Sequence, residues 1–238
     1  MSIHSEDTTI LVVAKAPVPG RVKTRLGRTV GMERAADLAA ASLLDTLAAV
    51  SRTAPPGRRH LALAGSLAGA RRHRDLERSL AGWVVFPQRG DSLGERLSLA
   101  HADSASVTAG PIVQVGMDTP QVSPGQLAAV GAGLAGSDAV LGPAADGGWW
   151  VLGVRDPAHA GVLRVVPMST PHTGRETRAA LEAAGLRVAT TEVLHDVDTA
   201  EDAARVAAGS SGAFAAAWHA GPRAAVATRS EPRPGAAR

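Results

Sequence analysis

The chain has 238 residues, 45% of them hydrophobic and only 3% aromatic, and no cysteine. This is enough for one globular core, and it excludes disulfides, thiolate metal sites and cysteine nucleophiles, leaving oxygen and imidazole as the available metal ligands. The formal charge of +3 resides in the tail from Gly221, four Arg against one Glu, so a nucleic-acid surface is not expected; no apolar run or leader pattern marks a membrane protein, and a soluble, cytoplasmic one is expected.

Short apolar runs alternate with longer amphipathic segments, the pattern of a mostly parallel sheet with crossover helices. The first strand is read at Thr9–Ala14 and empties into KAPVPGRVKTRLG, where Lys15, Arg21, Lys23 and Arg25 crowd one loop. Its Pro19 and Gly20 allow close approach of backbone to a ligand, with Thr24 beside them. Lys15 and Lys23 are the two lysines of the chain; Arg fills every other basic position. Lys is a compact point charge and Arg a planar fork, so this concentration favours a di- or triphosphate site over a solvated basic loop. The GxxxxGK[ST] order of a Walker loop is absent.

A helix is predicted over Met32–Val50, a strand over His60–Ala64, a helix over Leu67–Leu80 and a strand over Trp83–Pro87. The segment PQRGDSLGER then leads into a helix over Leu93–Asp103. The strand Ile112–Gly116 delivers GMDTP, placing Asp118 at a strand end. Magnesium is usually held by one or two carboxylates plus phosphate oxygens and water, so Asp118 is a candidate ligand, although Asp-Thr-Pro is also good turn chemistry. Ser123-Pro124 starts a helix over Pro124–Leu134. GAGLAG at 131–136 matches GxGxxG, but it ends a helix and precedes a strand, the reverse of the dinucleotide-binding context.

Strands at Ala139–Gly142 and Trp149–Val154 flank GPAADGG. There Asp146, with Gly147 and Gly148, either holds a hydroxyl or second metal or forms an Asp-Gly hairpin turn. PMSTPHTGRET offers Ser169, Thr170, Thr173, Arg175 and Arg178 around the start of a helix over Thr173–Ala184, where they suit an anionic acceptor or, for Thr173, a cap. His172 and His195 are acid–base candidates by residue type alone. The last strand, Arg187–Val193, runs into LHDVDTAED. Asp196 and Asp198 face the same side of an extended segment and are candidates to complete a magnesium site. Thr199 reads as the N-cap of a helix over Glu201–Ala208, whose first turn holds Glu201 and Asp202.

Ligands of such sheets sit outside the carboxyl ends of the strands. The segments rich in Gly, Asp and basic residues all follow strands, which points to an enzyme.

Together APVPGRVKTRLG, DSLGER, GMDTP, GPAADGGWWVLG, MSTPHTGRET and DVDTAED resemble a bacterial family of unknown function labelled glycosyltransferase-related and grouped with the nucleotide-diphospho-sugar transferases. The resemblance spans about residues 8–208. It implies a single-domain, Rossmann-like glycosyltransferase A-type α/β fold; outside it, a helical extension is expected at 209–220, and the Pro-, Ala- and Arg-rich composition of 221–238 reads as a disordered basic tail. The same motifs are similar to the phospholactate guanylyltransferases and, more distantly, the molybdenum-cofactor nucleotidyltransferases. KTRL at 23–26 matches the guanylyltransferase loop, which implies Lys23 and Arg25 on a triphosphate, Gln88 and Gly94 at the base, and Asp118 and Asp198 on magnesium. The LxGGxGxRM form of the loop is absent, SLGER stands where Leu-Gly-Thr-Ala is usual, and Asp-x-Asp occurs only at 196–198.

The reading that follows is a nucleotidyltransferase dependent on magnesium, or on manganese, moving a nucleoside monophosphate from a triphosphate to a small phosphorylated or phosphonate acceptor. Lys23, Arg25 and Asp118 form its catalytic set. Lys15, Pro19, Gly20, Arg21, Thr24, Gln88 and Gly94 complete the nucleotide site, Asp118, Asp196 and Asp198 the metal site, and Asp146, Gly147, Gly148, Thr170, Thr173 and Arg175 the acceptor site. Glycosyl transfer from a nucleotide sugar and nucleotide binding without turnover are the alternatives. Neither a nucleic acid nor a membrane is an expected partner.

Overall fold

The computed structural model describes residues 7–221, so the expected tail lies outside the described residues from 222 onward. In chain order the elements are β1 (Thr9–Lys15), α1 (Thr24–Val30), α2 (Met32–Thr53), β2 (Arg59–Ala64), α3 (His73–Ser79), β3 (Val84–Pro87), α4 (Leu93–Val107), β4 (Ile112–Gly116), α5 (Pro124–Gly133), β5 (Ala139–Pro143), β6 (Trp149–Val154), α6 (Thr173–Ala183), β7 (Val188–Thr190), α7 (Ala200–Ala208) and α8 (Ala213–His219).

The strands form one sheet in the order β3-β2-β1-β4-β6-β5-β7. β6 runs antiparallel to β4 and β5, and the other pairings are parallel. β1 is central and covered on both faces, which is why TILVVA is continuously apolar after its first residue instead of alternating. On one face α2, α3 and α5 close a core of Val12, Leu43, Leu47, Leu76, Val115 and Leu127. On the other, α4, a 3-10 segment at Pro157–Val165 and α6 cover Leu11, Leu97, Leu152, Leu163 and Leu181. Each fully buried Leu contributes roughly 2 kcal/mol by leaving water.

Local chemistry sets the boundaries. α2 ends at Ala54, which is extended (φ −117, ψ 145) because Pro55 follows. Ser123 and Gln126 form a reciprocal capping box at the start of α5, with Pro124 at its first position.

Three element expectations need correction. The helix expected over Leu67–Leu80 is a 3-10 turn at Leu67–Gly69 and a short helix from His73, separated where Arg72 takes a left-handed conformation (φ 52). The strand expected over Arg187–Val193 pairs with β5 only at Val188–Thr190, since it is an edge strand that then leaves the sheet. α1 and the 3-10 segment at 157–165 were not expected at all; α1 is short and rich in cations, with Leu26 as its one fully buried large side chain.

Two features of this architecture place the site. The strand order reverses at β1 and β4, so their carboxyl ends flank the switch-point crevice where ligands of open α/β sheets bind. A third apolar cluster, with Leu26 of α1, Leu38 of α2, Val197 and Phe214 of α8, holds the loop after β1 beside the segment before α7. α8 is itself latched by Asp45 of α2, whose carboxylate oxygens accept from the N–H groups of Ala213 and Phe214 at 2.7 and 2.8 Å.

Candidate active site

The chain leaves β1 at Lys15, turns through Gly20 (φ +72) and reaches Lys23 in a left-handed conformation, φ 45 and ψ 41, immediately before α1. This turns the Lys23 side chain inward beneath two carboxylates, Asp118 just past the end of β4 and Asp198 just before α7. Its Nζ lies 2.8 Å from Asp118 Oδ1 and 2.9 Å from Asp198 Oδ1. The Lys23 side chain is only 9% exposed, against 44% for Asp118 and 43% for Asp198. The ammonium is thus buried under carboxylates that reach solvent. Burial is the largest single influence and favours the neutral amine, but Asp118 and Asp198 together outweigh it and hold the Lys23 pKa above its ordinary value. Arg25, on the outer side, donates Nη1 to Asp198 Oδ2 at 3.2 Å.

The two carboxylates are held by backbone bonds that no local pattern announces. Ser42 of α2, buried, donates its hydroxyl to the carbonyl of Met117 at 2.5 Å. Val197 N–H donates to the carbonyl of Asp118 at 3.0 Å, and Gln121 Nε2 donates to the carbonyl of His195 at 2.7 Å. Thr199 and Asp202 form a capping box at α7, and Asp202 Oδ2 also accepts from the Asp198 N–H at 3.3 Å. Asp202, which caps α7 together with the expected N-cap Thr199, thus also holds the backbone of Asp198.

Asp196 is half-buried, and its carboxylate accepts no hydrogen bond within the described residues. Burial first, then the negative charges of Asp118, Asp146 and Asp198, push its pKa to about 7 against the opposing charge of Lys23. Asp118, Asp196 and Asp198 do not converge into a ready three-ligand metal cluster; among the described residues no such group occurs. A cavity of about 310 Å³ opens here, lined by Lys15, Arg21, Val22, Lys23, Thr24, Arg25, Met117, Asp118 and Asp198. A larger one, about 570 Å³, lies between the start of α2, Arg71, Arg72 and α8 and includes none of these carboxylates.

Other expected site residues are engaged within the protein. Gln88 Nε2 donates to the carbonyls of Ala14 and Ala62, tying the ends of β1 and β2 together. A side chain at Gly94 would strike the Leu163 carbonyl at 2.1 Å, so the glycine answers to packing of α4 on the 3-10 segment. Asp146 Oδ1 accepts from Gly148 N–H at 2.8 Å, the turn geometry of the β5–β6 hairpin. Gly147 (φ +90) is pressed against the Pro171 carbonyl, and Gly174 N–H donates to the Gly147 carbonyl at 2.9 Å. Thr173 is buried and bonds the Pro167 carbonyl, while Thr170 accepts from His172 N–H, both shaping the turn into α6. Arg175 is exposed.

Among the described residues no helix is long and apolar enough to cross a membrane. Residues 46–170 match the family described as uncharacterized protein conserved in bacteria (DUF2064). No curated protein matches the chain. A solved structure from Desulfovibrio desulfuricans G20, provisionally assigned as a nucleotide-diphospho-sugar transferase, is 28% identical, with a TM-score of 0.70 over 82% of this chain and 83% of that one. CMP:2-keto-3-deoxy-manno-octonic acid synthetase, solved with CTP, is 13% identical with a TM-score of 0.51, covering 84% of this chain and 96% of that one. 4-Diphosphocytidyl-2C-methyl-D-erythritol synthase from Anaerococcus prevotii is 10% identical with a TM-score of 0.52, covering 82% and 95%. The last two speak for the fold alone. The family resemblance carried by the motifs is met, as is the glycosyltransferase A-type fold it implied.

Proposed function

From the premise that the chain belongs to the DUF2064 family of bacterial proteins, we propose that it is a nucleotidyltransferase dependent on a divalent cation. One observation carries this reading: the cations of the loop after β1 share a cavity at the switch point with two solvent-reaching carboxylates, Asp118 and Asp198. A polyphosphate needs the first, and a hard cation bound to that polyphosphate needs the second.

The donor set fits magnesium or manganese. Asp118, after β4, and Asp198, before α7, offer hard oxygen ligands, and Asp196 adds an unbonded carboxylate whose pKa is raised first by burial and then by the neighbouring Asp118, Asp146 and Asp198. Asp118 and Asp198 would hold the ion, with Asp196 beside them; such an ion neutralises phosphate charge and orients phosphate oxygens. In the reaction an acceptor phosphate or phosphonate oxygen forms a bond to the α-phosphorus of a nucleoside triphosphate, the bond from that phosphorus to the bridging oxygen breaks, and pyrophosphate leaves. Arg21, Lys23 and Arg25, with Lys15 and Thr24 at the rim, stabilise the charge that gathers on the leaving pyrophosphate. Positioning and charge suffice for this chemistry, and no covalent nucleophile is required. Gln88, through its carbonyl oxygen, would face the base, and Pro19 and Gly20 would shape the nucleotide side, while Gly94 serves the packing of α4. The acceptor would lie beside the hairpin of Asp146 and Gly148, with the exposed Arg175 as its anion partner and Gly147, Thr170 and Thr173 shaping the turns around it.

A second reading, transfer of a sugar from a nucleotide-diphospho-sugar, is favoured by the relative from D. desulfuricans. One assay separates the two. The protein is incubated with each nucleoside triphosphate, magnesium and a panel of phosphorylated small acceptors, then with nucleotide sugars. Pyrophosphate release is the expected result. Release of nucleoside diphosphate instead moves the assignment to glycosyl transfer, and nucleotide binding with neither product makes the protein a non-catalytic binder.

A further inference from the structure

In the reading above, Asp118 and Asp198 hold a cation and Lys23 serves the phosphates. Yet Lys23 Nζ contacts both carboxylates, at 2.8 and 2.9 Å. Asp198 has both oxygens committed, Oδ1 to Lys23 and Oδ2 to Arg25 at 3.2 Å. An ion bound to the same two side chains would sit beside a buried ammonium, where like charges repel strongly because little water screens them. The two outer partners differ in how readily they yield. Arg25 is 71% exposed and swings into solvent easily; Lys23, 9% exposed, has to leave a buried position. Its backbone is in the left-handed region and, as the N-cap of α1, it makes no side-chain capping bond. Within the described residues the side-chain contacts recorded for Lys23 are those with the two carboxylates.

We propose that the Lys23 ammonium and a divalent cation are alternative partners of Asp118 and Asp198, so that cation binding turns Lys23 out of the carboxylate pair toward the phosphates of the nucleotide. This rests on the functional reading above and specifies its order: the cation prepares the phosphate site by freeing the lysine. Because linkage is reciprocal, triphosphate that captures Lys23 raises cation affinity by the same factor. Lys23 is then the residue through which the two ligands cooperate.

The chain has two lysines, Lys15 and Lys23, so the exchange can be watched directly. Protein labelled with nitrogen-15 lysine gives two side-chain ammonium signals, with Lys15→Arg identifying the Lys23 signal. The Lys23 ammonium is expected to be protected from solvent exchange in magnesium-free buffer. It is expected to lose that protection as magnesium is added, with a midpoint that tracks the cation affinity. Manganese binding is measured in parallel from the paramagnetic resonance signal of the free ion. A protected Lys23 signal that persists while manganese binds stoichiometrically overturns the exchange and leaves the functional reading standing. Absence of manganese binding overturns both the exchange and the metal part of that reading. Lys23→Met is expected to bind manganese at least tenfold more tightly without nucleotide and to lose the cooperative gain from triphosphate; weaker binding would show that the ammonium helps to hold the cation, contrary to the proposal. Should that variant fold poorly, the resonance experiment on the unsubstituted protein decides alone.

Discussion

At the β1–β4 end of the sheet's carboxyl edge, Lys23 meets Asp118 and Asp198 side chain to side chain. At the β5–β6 end, Gly147 and Gly174 press backbone against backbone, with the Pro171 carbonyl lying where a side chain at 147 would be. Both ends are loops rich in Gly, Asp and Thr, and in the sequence they look alike. The difference is in what those residues have left to offer. The hairpin end has used its polar groups to fold two turns against each other, whereas the β1–β4 end keeps charges that reach solvent and repel one another. Charge that reaches solvent is thus concentrated at the β1–β4 end.

The contrast breaks first at the packed end. Gly147→Ala puts a Cβ about 2.0 Å from the Pro171 carbonyl at a φ of +90. A loss of more than about 4 kcal/mol in urea unfolding is expected, and a loss under about 1 kcal/mol would show that the two turns separate easily. At the charged end the largest effect is on pH dependence. The Asp196 carboxyl, raised to about 7 from an ordinary 3.8, binds its proton more tightly in the folded than in the unfolded chain. The stability it lends is therefore full below pH 4 and is lost as pH rises through 7. Allowing for partial exposure, about 3 kcal/mol is at stake. Asp196→Asn should flatten that slope in magnesium-free buffer and raise stability at pH 8, and a variant less stable at pH 8 would remove the charge crowding from the account.

Asp118→Asn leaves Lys23 with one carboxylate. It should cost about 2 kcal/mol of stability, less than the removal of a sole buried partner, and lower pyrophosphate release by roughly 100-fold or more. Full turnover in this variant would exclude Asp118 from the reaction. The smallest effect is expected at Gly20→Ala, which meets open space, so only the positive φ of 72 costs, about 1 kcal/mol.

The sheet was legible because its strands are buried runs punctuated by Gly, Pro and Asp, and six of the seven lie close to where periodicity puts them. α1 was hidden since a helix that presents Thr24, Arg25, Arg28 and Thr29 to solvent leaves one large apolar side chain, Leu26, to signal it. Lys23, Asp118 and Asp198 each stood out in a polar segment read as following a strand, but not their ion pairs with one another, which depend on the left-handed turn at 23 and on the Val197–Asp118 backbone bond that sets residues 196–198 beside the end of β4. Ser42 and Gln121 carried no signal: each acts on a backbone carbonyl 75 and 74 positions away, a distance no local pattern spans. At Gly94 and Gly147 the residue type was a sound marker of close approach, but what approaches is the protein's own backbone.

Lys23 and Asp198 are 175 positions apart. At synthesis rates of about 5–20 residues per second, Lys23 is added to the chain roughly 9–35 s before its second carboxylate, and the strands β1 to β6 are all synthesised in between or earlier. Termination before residue 198 would therefore yield a chain with most of its sheet and only half of its charge clasp.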